Sequence, residues 1–167
     1  MPRETVDSTF KEPLRPRVAF KSCPIRTSLD LGYLGRKWAL VVLRDVAFST
    51  DITFGQILRK NSGLTPRALS MRLRDLRKEG VIERVADPTD SRKVHYRLTS
   101  QGEDAVPILT ALVQYGVRHH SDKVFEDKRP RELEVLFPGN QEFMLGGLKR
   151  YAMKASAQAP SVSQLQA

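Results

Sequence analysis

The side chains best placed to do chemistry in this chain are cations set at helical spacing. Arg67, Met71, Arg74 and Lys78 recur three or four residues apart within residues 64–80. At about 100° per residue they share one helical face, with Ser70 at its edge. Leu69, Leu73 and Leu76 fall on the opposite face. The result is an apolar back for packing and a cationic front that holds no acid, a surface suited to a phosphate-lined groove. Thr65 offers a hydroxyl N-cap, Pro66 a first helical position whose missing N–H costs nothing, and Gly80 a left-handed stop. A second cationic pair, Arg92-Lys93, lies beside the turn-forming run Asp87-Pro88-Thr89-Asp90-Ser91. Asp90 either caps that turn or holds the Arg92 guanidinium through a charge-assisted bond.

Other chemistries find less support. A lone cysteine, Cys23, excludes an intrachain disulfide framework and suits a reducing cytoplasm. It precedes a helix start and has Lys21 and Arg26 nearby, a setting that lowers a thiol pKa. It also reads as a small buried hydrophobe. His95 falls on a strand, and the adjacent His119 and His120 point to different helix faces, so no metal-ligand set is expected. Glu132 and Glu134 are too close in sequence to share a helical face. Gly-rich phosphate loops and nucleophile elbows are absent from the sequence, so neither catalysis nor a cofactor is expected.

The elements that must position the cations can be traced along the chain. Thr53-Phe54-Gly55-Gln56 is a capping box that opens a short helix carrying Phe54, Ile57 and Leu58. Asn61-Ser62-Gly63 breaks it just before Thr65, and two short helices joined by such a turn make a helix-turn-helix. Residues 81–85 and 94–98 read as the paired strands of a wing. Upstream, a helical stretch opens at Cys23-Pro24 with Ile25, Leu29 and Leu31 and stops at Gly35. A second helix from near Arg36 through Trp38, Val41, Val42, Leu43 and Val46 is expected at the centre of the core, with Trp38 as a packing anchor. Downstream, Ser100-Gln101-Gly102-Glu103 is read as another capping box that opens a long helix to about His120. Its stripe of Ala105, Ile108, Leu109, Leu112, Val113 and Tyr115 is wider than one small domain must cover, which predicts a second subunit. Short helices are expected over 131–137 and 141–154.

The fold class expected is therefore mostly α with a small β-hairpin: a winged helix-turn-helix with a long terminal dimerisation helix. The chain divides into a flexible N-terminal arm (1–22), the winged domain with its dimerisation helix (23–120), a helical C-terminal extension (121–155) and a disordered tail (156–167). The arm is either a plain tail or a strand of cations, Arg15, Arg17 and Lys21, that touches phosphate. Charge is concentrated where the helix-turn-helix lies. Of 28 basic and 19 acidic residues, a net +9, residues 53–99 hold 11 basic and 5 acidic. A localised basic block points to a polyanion, nucleic acid before an anionic membrane. Neither an apolar run of about 20 residues nor a signal-like core is present in the sequence, so a cytoplasmic protein without a membrane partner is expected.

The order of these pieces resembles the HxlR-type branch of winged-helix regulators, close kin of the MarR type. The resemblance is carried by Cys23-Pro24, Gly35-Arg36-Lys37-Trp38, Leu43-Arg44, Phe54-Gly55-Gln56-Ile57, Leu64-Thr65-Pro66-Arg67-Ala68-Leu69, Arg72-Leu73-Arg74-Asp75-Leu76, Gly80-Val81-Ile82 and the run from Val94 to Gly102. It implies a homodimer whose two recognition helices enter successive major grooves of a pseudo-palindromic double-stranded DNA operator. Thr65, Pro66, Arg67, Ser70, Met71 and Arg74 would then meet bases and phosphates, with Arg67 and Arg74 able to read guanine. Arg77 and Lys78 would touch phosphate, and Arg92 and Lys93 the minor groove or backbone. Cys23 matches a cysteine that several members use as a thiol switch, so an oxidant or a small molecule is a candidate effector. The spacing from Cys23 to Trp38 is about two residues longer than usual, and the wing looks more like the MarR type. Residues from 121 onward lie beyond the resemblance. Two other function classes remain: a winged-helix module for protein or RNA with only non-specific DNA binding, and an enzyme-like responsive protein with a polar pocket.

Overall fold

The structure is a computed structural model that describes residues 21–31, 34–49 and 51–136. Most of the N-terminal arm, Gly32-Tyr33, the helix expected over 141–154 and the tail lie outside the described residues. Helix α1 (Pro24–Arg26) runs on as a π-helical turn, Thr27–Leu31. Then follow α2 (Ala39–Ala47), β1 (Ile52–Thr53), α3 (Phe54–Lys60), α4 (Pro66–Lys78), β2 (Ile82–Ala86), β3 (Val94–Leu98), α5 (Ser100–Glu103), α6 (Val106–His119), α7 (Ser121–Val124) and α8 (Leu133–Leu136).

Local chemistry explains most boundaries. The Thr53 hydroxyl accepts from the Gln56 amide while the Gln56 side chain accepts from the Thr53 amide, so the capping box at α3 is complete. Thr65 accepts from the Ala68 amide at 3.2 Å, and Pro66 opens α4. Gly80 takes φ +78°, the left-handed stop its sequence position predicts.

Four boundaries differ from the sequence expectation. Helix α2 starts at Ala39, not near Arg36, because Trp38 sits in the left-handed region at φ 74° and acts as the N-cap. A non-glycine residue there costs about 1 kcal/mol or more, and the core that packs against the indole holds it in place. The long helix from Ser100 to His120 is two helices. Asp104 and Ala105 interrupt it, and Pro107, which has no N–H to donate, falls in the first turn of α6. The cap of the first piece is Thr99, not Ser100: its hydroxyl accepts from the Gly102 amide at 3.1 Å. The hairpin is also larger than two strands, since β1 pairs antiparallel with β3 to give the order β1-β3-β2.

The core sits between α2, the back of α4, the root of the sheet and the start of α6. Val42, Leu43, Val46, Ile57, Leu69, Leu76 and Val106 are all buried there, as the periodicity of α2 and α4 requires. A small second cluster forms where Val117 of α6 meets Val113, Phe125 and Leu136, so the beginning of the C-terminal extension folds back onto α6. Arg131 seals it, with its guanidinium 4.3 Å from the Phe125 ring centre and paired to Asp127. No helix among the described residues is long and apolar enough to cross a membrane.

Candidate nucleic-acid interface

Helix α4 presents its two faces as the spacing predicts. Leu69, Leu73 and Leu76 are buried, while Thr65, Pro66, Arg67, Ser70, Met71, Arg74, Arg77 and Lys78 are all exposed. Arg72, an arginine in the middle of the same helix, points inward and pairs with Asp75 at 3.2 Å, so it belongs to the packing and not to the front. The first turn of α4 holds no acid. Its free amides, the positive end of the helix dipole and Arg67 therefore act in the same direction on an anion.

What holds this front rigid is a buried polar network that sequence spacing could not indicate. Asp45, on α2, is 6% exposed and accepts from the Arg44 guanidinium at 2.8 Å. Its other oxygen accepts from the side-chain amide of Asn61, the residue that ends α3. Asn61 also donates to the Ile57 carbonyl at 2.8 Å and accepts from Arg44 at 3.0 Å. The turn between the two helices of the motif is thus tied to the central helix by groups that are mutually satisfied, which is what makes a buried charge tolerable.

The wing is built on Asp87. Its carboxylate accepts from the Thr89 amide at 2.8 Å, from the Thr89 hydroxyl and from the Asp90 amide at 3.1 Å. The other oxygen meets His95 Nε2 at 2.7 Å, linking the tip to β3. The Thr89 hydroxyl first, then His95 and the amides, hold this carboxyl well below the usual carboxylate range. Asp90 does both things open to it: it accepts from the Arg92 amide at 3.0 Å, which caps the turn, and from Arg92 Nε at 3.3 Å. Arg92 and Lys93 are exposed at the tip. At the opposite end of the sheet, Arg97 of β3 pairs with Asp51 just before β1.

An exposed cation of the sheet joins those of α4 without any signal in the residue spacing of that helix. Arg84 lies on β2, two residues beyond the buried Ile82, and lines an open cleft with Arg74, Arg77 and Lys78. Strand alternation could have placed it on the same sheet face as Ile82, and hence toward α4. Cys23, the candidate thiol switch, is exposed and is not the buried hydrophobe that a lone cysteine suggests.

Comparison with known proteins settles what such an arrangement belongs to. The family model described as HxlR-like helix-turn-helix matches residues 33–124. The chain belongs to the HxlR-like helix-turn-helix family. A helix-turn-helix transcriptional regulator of Synechocystis is 36% identical over 94 residues, 56% of this chain and 67% of that one. Among solved structures, a MarR-family transcriptional regulator from Porphyromonas gingivalis superposes with a TM-score of 0.53 at 25% identity, covering 62% of this chain and 99% of the other. The redox regulator HypR in its oxidised form gives a TM-score of 0.51 at 27% identity, covering 56% of this chain and 94% of its own. These relatives are transcriptional regulators by name, and the three-stranded antiparallel sheet packed among helices is the winged-helix fold. The family match ends at residue 124, which leaves α8 outside it.

Proposed function

We propose that this HxlR-like protein is a homodimeric regulator that binds double-stranded DNA in a sequence-specific way at a pseudo-palindromic operator. The observation that carries the reading is the exposed, acid-free front of α4, Arg67, Ser70, Met71 and Arg74, beside a wing tipped by Arg92 and Lys93. Side chains of this kind read bases in a major groove, while lysine and arginine farther along set affinity through phosphate. Arg67 and Arg74 are the base readers; Arg77, Lys78, Arg92 and Lys93 are the backbone contacts. The dimer is supported by the outward stripe of α6, where Ile108, Leu112 and Tyr115 are 45%, 49% and 58% exposed. A response to oxidant through Cys23 is supported by the exposure of its thiol and by the likeness to HypR.

Selection of bound duplexes from a random library tests this reading. The expected product is an inverted repeat, with information lost at defined positions for Arg67→Ala or Arg74→Ala, about 1–3 kcal/mol of discrimination each. Enrichment of no motif, with both variants weakened alike, would move the protein to non-specific or protein-directed binding. Repeating the selected complex with a mild oxidant, on the protein and on Cys23→Ser, tests the thiol: a release that persists in the variant would sink that part.

A further inference from the structure

The cleft between α4 and β2 brings a cation of the sheet, Arg84, beside three cations of α4. It is an open groove of about 590 Å³, walled by Arg74, Arg77 and Lys78 from one side and by Ile82, Glu83 and Arg84 from the other. All four of its cations are exposed, and among the described residues none of them forms an ion pair. Its single acid, Glu83, stands opposite Arg97 in the β2–β3 ladder. Four like charges facing one open space repel one another and do not stabilise the fold. Attraction to the C-terminal end of the helix dipole accounts for Arg77 and Lys78 in the last turn of α4. It does not account for Arg84, which lies on a strand.

We infer that this cleft seats the sugar-phosphate backbone of duplex DNA and that Arg84 is one of its phosphate contacts, an inference that rests on the DNA-binding reading above. If the front of α4 occupies a major groove and the tip beyond β2 reaches toward the neighbouring minor groove, the strand of backbone that divides the two grooves must pass between α4 and β2. That space is the cationic cleft. Arg84 there meets a repeating phosphate, which carries no sequence information, so it contributes affinity and register without choosing a base.

The test uses the full chain with its selected duplex and a scrambled duplex of equal length, titrated between about 50 and 200 mM salt. Arg84→Gln is expected to weaken both duplexes by the same factor. It also lowers the slope of log affinity against log salt by about 0.9 for each cleft occupied, so over that range the variant loses about threefold less affinity than the parent per cleft, or about tenfold less when both clefts of a dimer are filled. Arg84→Lys keeps the parent slope, since the charge remains. An unchanged slope for Arg84→Gln, on a duplex whose binding by the parent is salt-dependent, overturns the inference and leaves the regulator reading intact. Loss confined to the selected duplex also overturns it, because that would make Arg84 a base reader. If the parent binds neither duplex in a salt-dependent way, the regulator reading itself fails, and the inference with it.

Discussion

Asp45 and Asp87 show how single carboxylates organise this molecule in opposite settings. Asp45 is buried and matched by Arg44 and Asn61, so it fixes the angle at which α3 enters the turn before α4. Asn61→Ala removes the partner of one Asp45 oxygen and of the Arg44 guanidinium, and is expected to cost about 1–3 kcal/mol in a urea titration. It should weaken binding to the selected duplex even where the protein stays folded, since α4 loses its registration. Asp87 acts through its protonation. Its pKa in the folded wing lies below the ordinary 3.8, so its contribution is complete above that value and is lost as pH falls beneath it. The denaturation midpoint of the parent should therefore drop more between about pH 5 and pH 3 than that of Asp87→Asn, which has no carboxyl to protonate. Equal drops would mean that the Thr89 and His95 contacts do not persist in solution.

At the scale of elements, the junction between α4, β2 and α5 is the most tightly built. Thr99 caps α5 and donates its hydroxyl to the Gly80 carbonyl, so the stop of α4 and the start of α5 share one side chain. Gly102 lies so close beneath this junction that a Cβ there would fall 2.0 Å from the Val81 carbonyl oxygen. Backbone has to move to admit it. Gly102→Ala should cost about 1–3 kcal/mol by thermal melting, the range of an overpacked core. A variant as stable as the parent would show that α5 can shift away from β2 freely. Farther on, the break at Asp104-Ala105 lets α5 follow the sheet while α6 takes its own direction, and only the latter keeps an unpaired apolar stripe.

At the scale of the whole molecule, α6 divides its apolar residues between the core and the surface. Val106, Leu109 and Val117 go inward, whereas Ile108, Leu112 and Tyr115 remain at the surface. A symmetric pair of such stripes would set two recognition fronts at a fixed separation, which is what an inverted-repeat operator requires. Leu112→Glu, at a position already half exposed, should leave the monomer folded but shift sedimentation from dimer to monomer. Operator affinity should fall by tenfold or more, since one half-site then binds without the other. A variant that remains a dimer would move the interface away from α6.

Much of this could be read from residue order alone. The two faces of α4, the capping box at Thr53, the turn at Asn61-Ser62-Gly63, the wing strands and the burial of α2 are local matters, and periodicity or capping chemistry within one element decides them. So the exposed positions from Thr65 to Lys78 could be named before any fold was known. What only the tertiary structure decided are relations between distant segments. They include the Arg44–Asp45–Asn61 network, the pairing of Ile52 with Tyr96, the left-handed Trp38 and the inward turn of Arg72. Each depends on what another part of the chain brings to the same point, and hydrophobic patterning carries no term for that. Arg84 makes the distinction plainest. Along the chain it is one basic residue in a strand, and it becomes part of a cationic cleft only because β2 folds back beside α4.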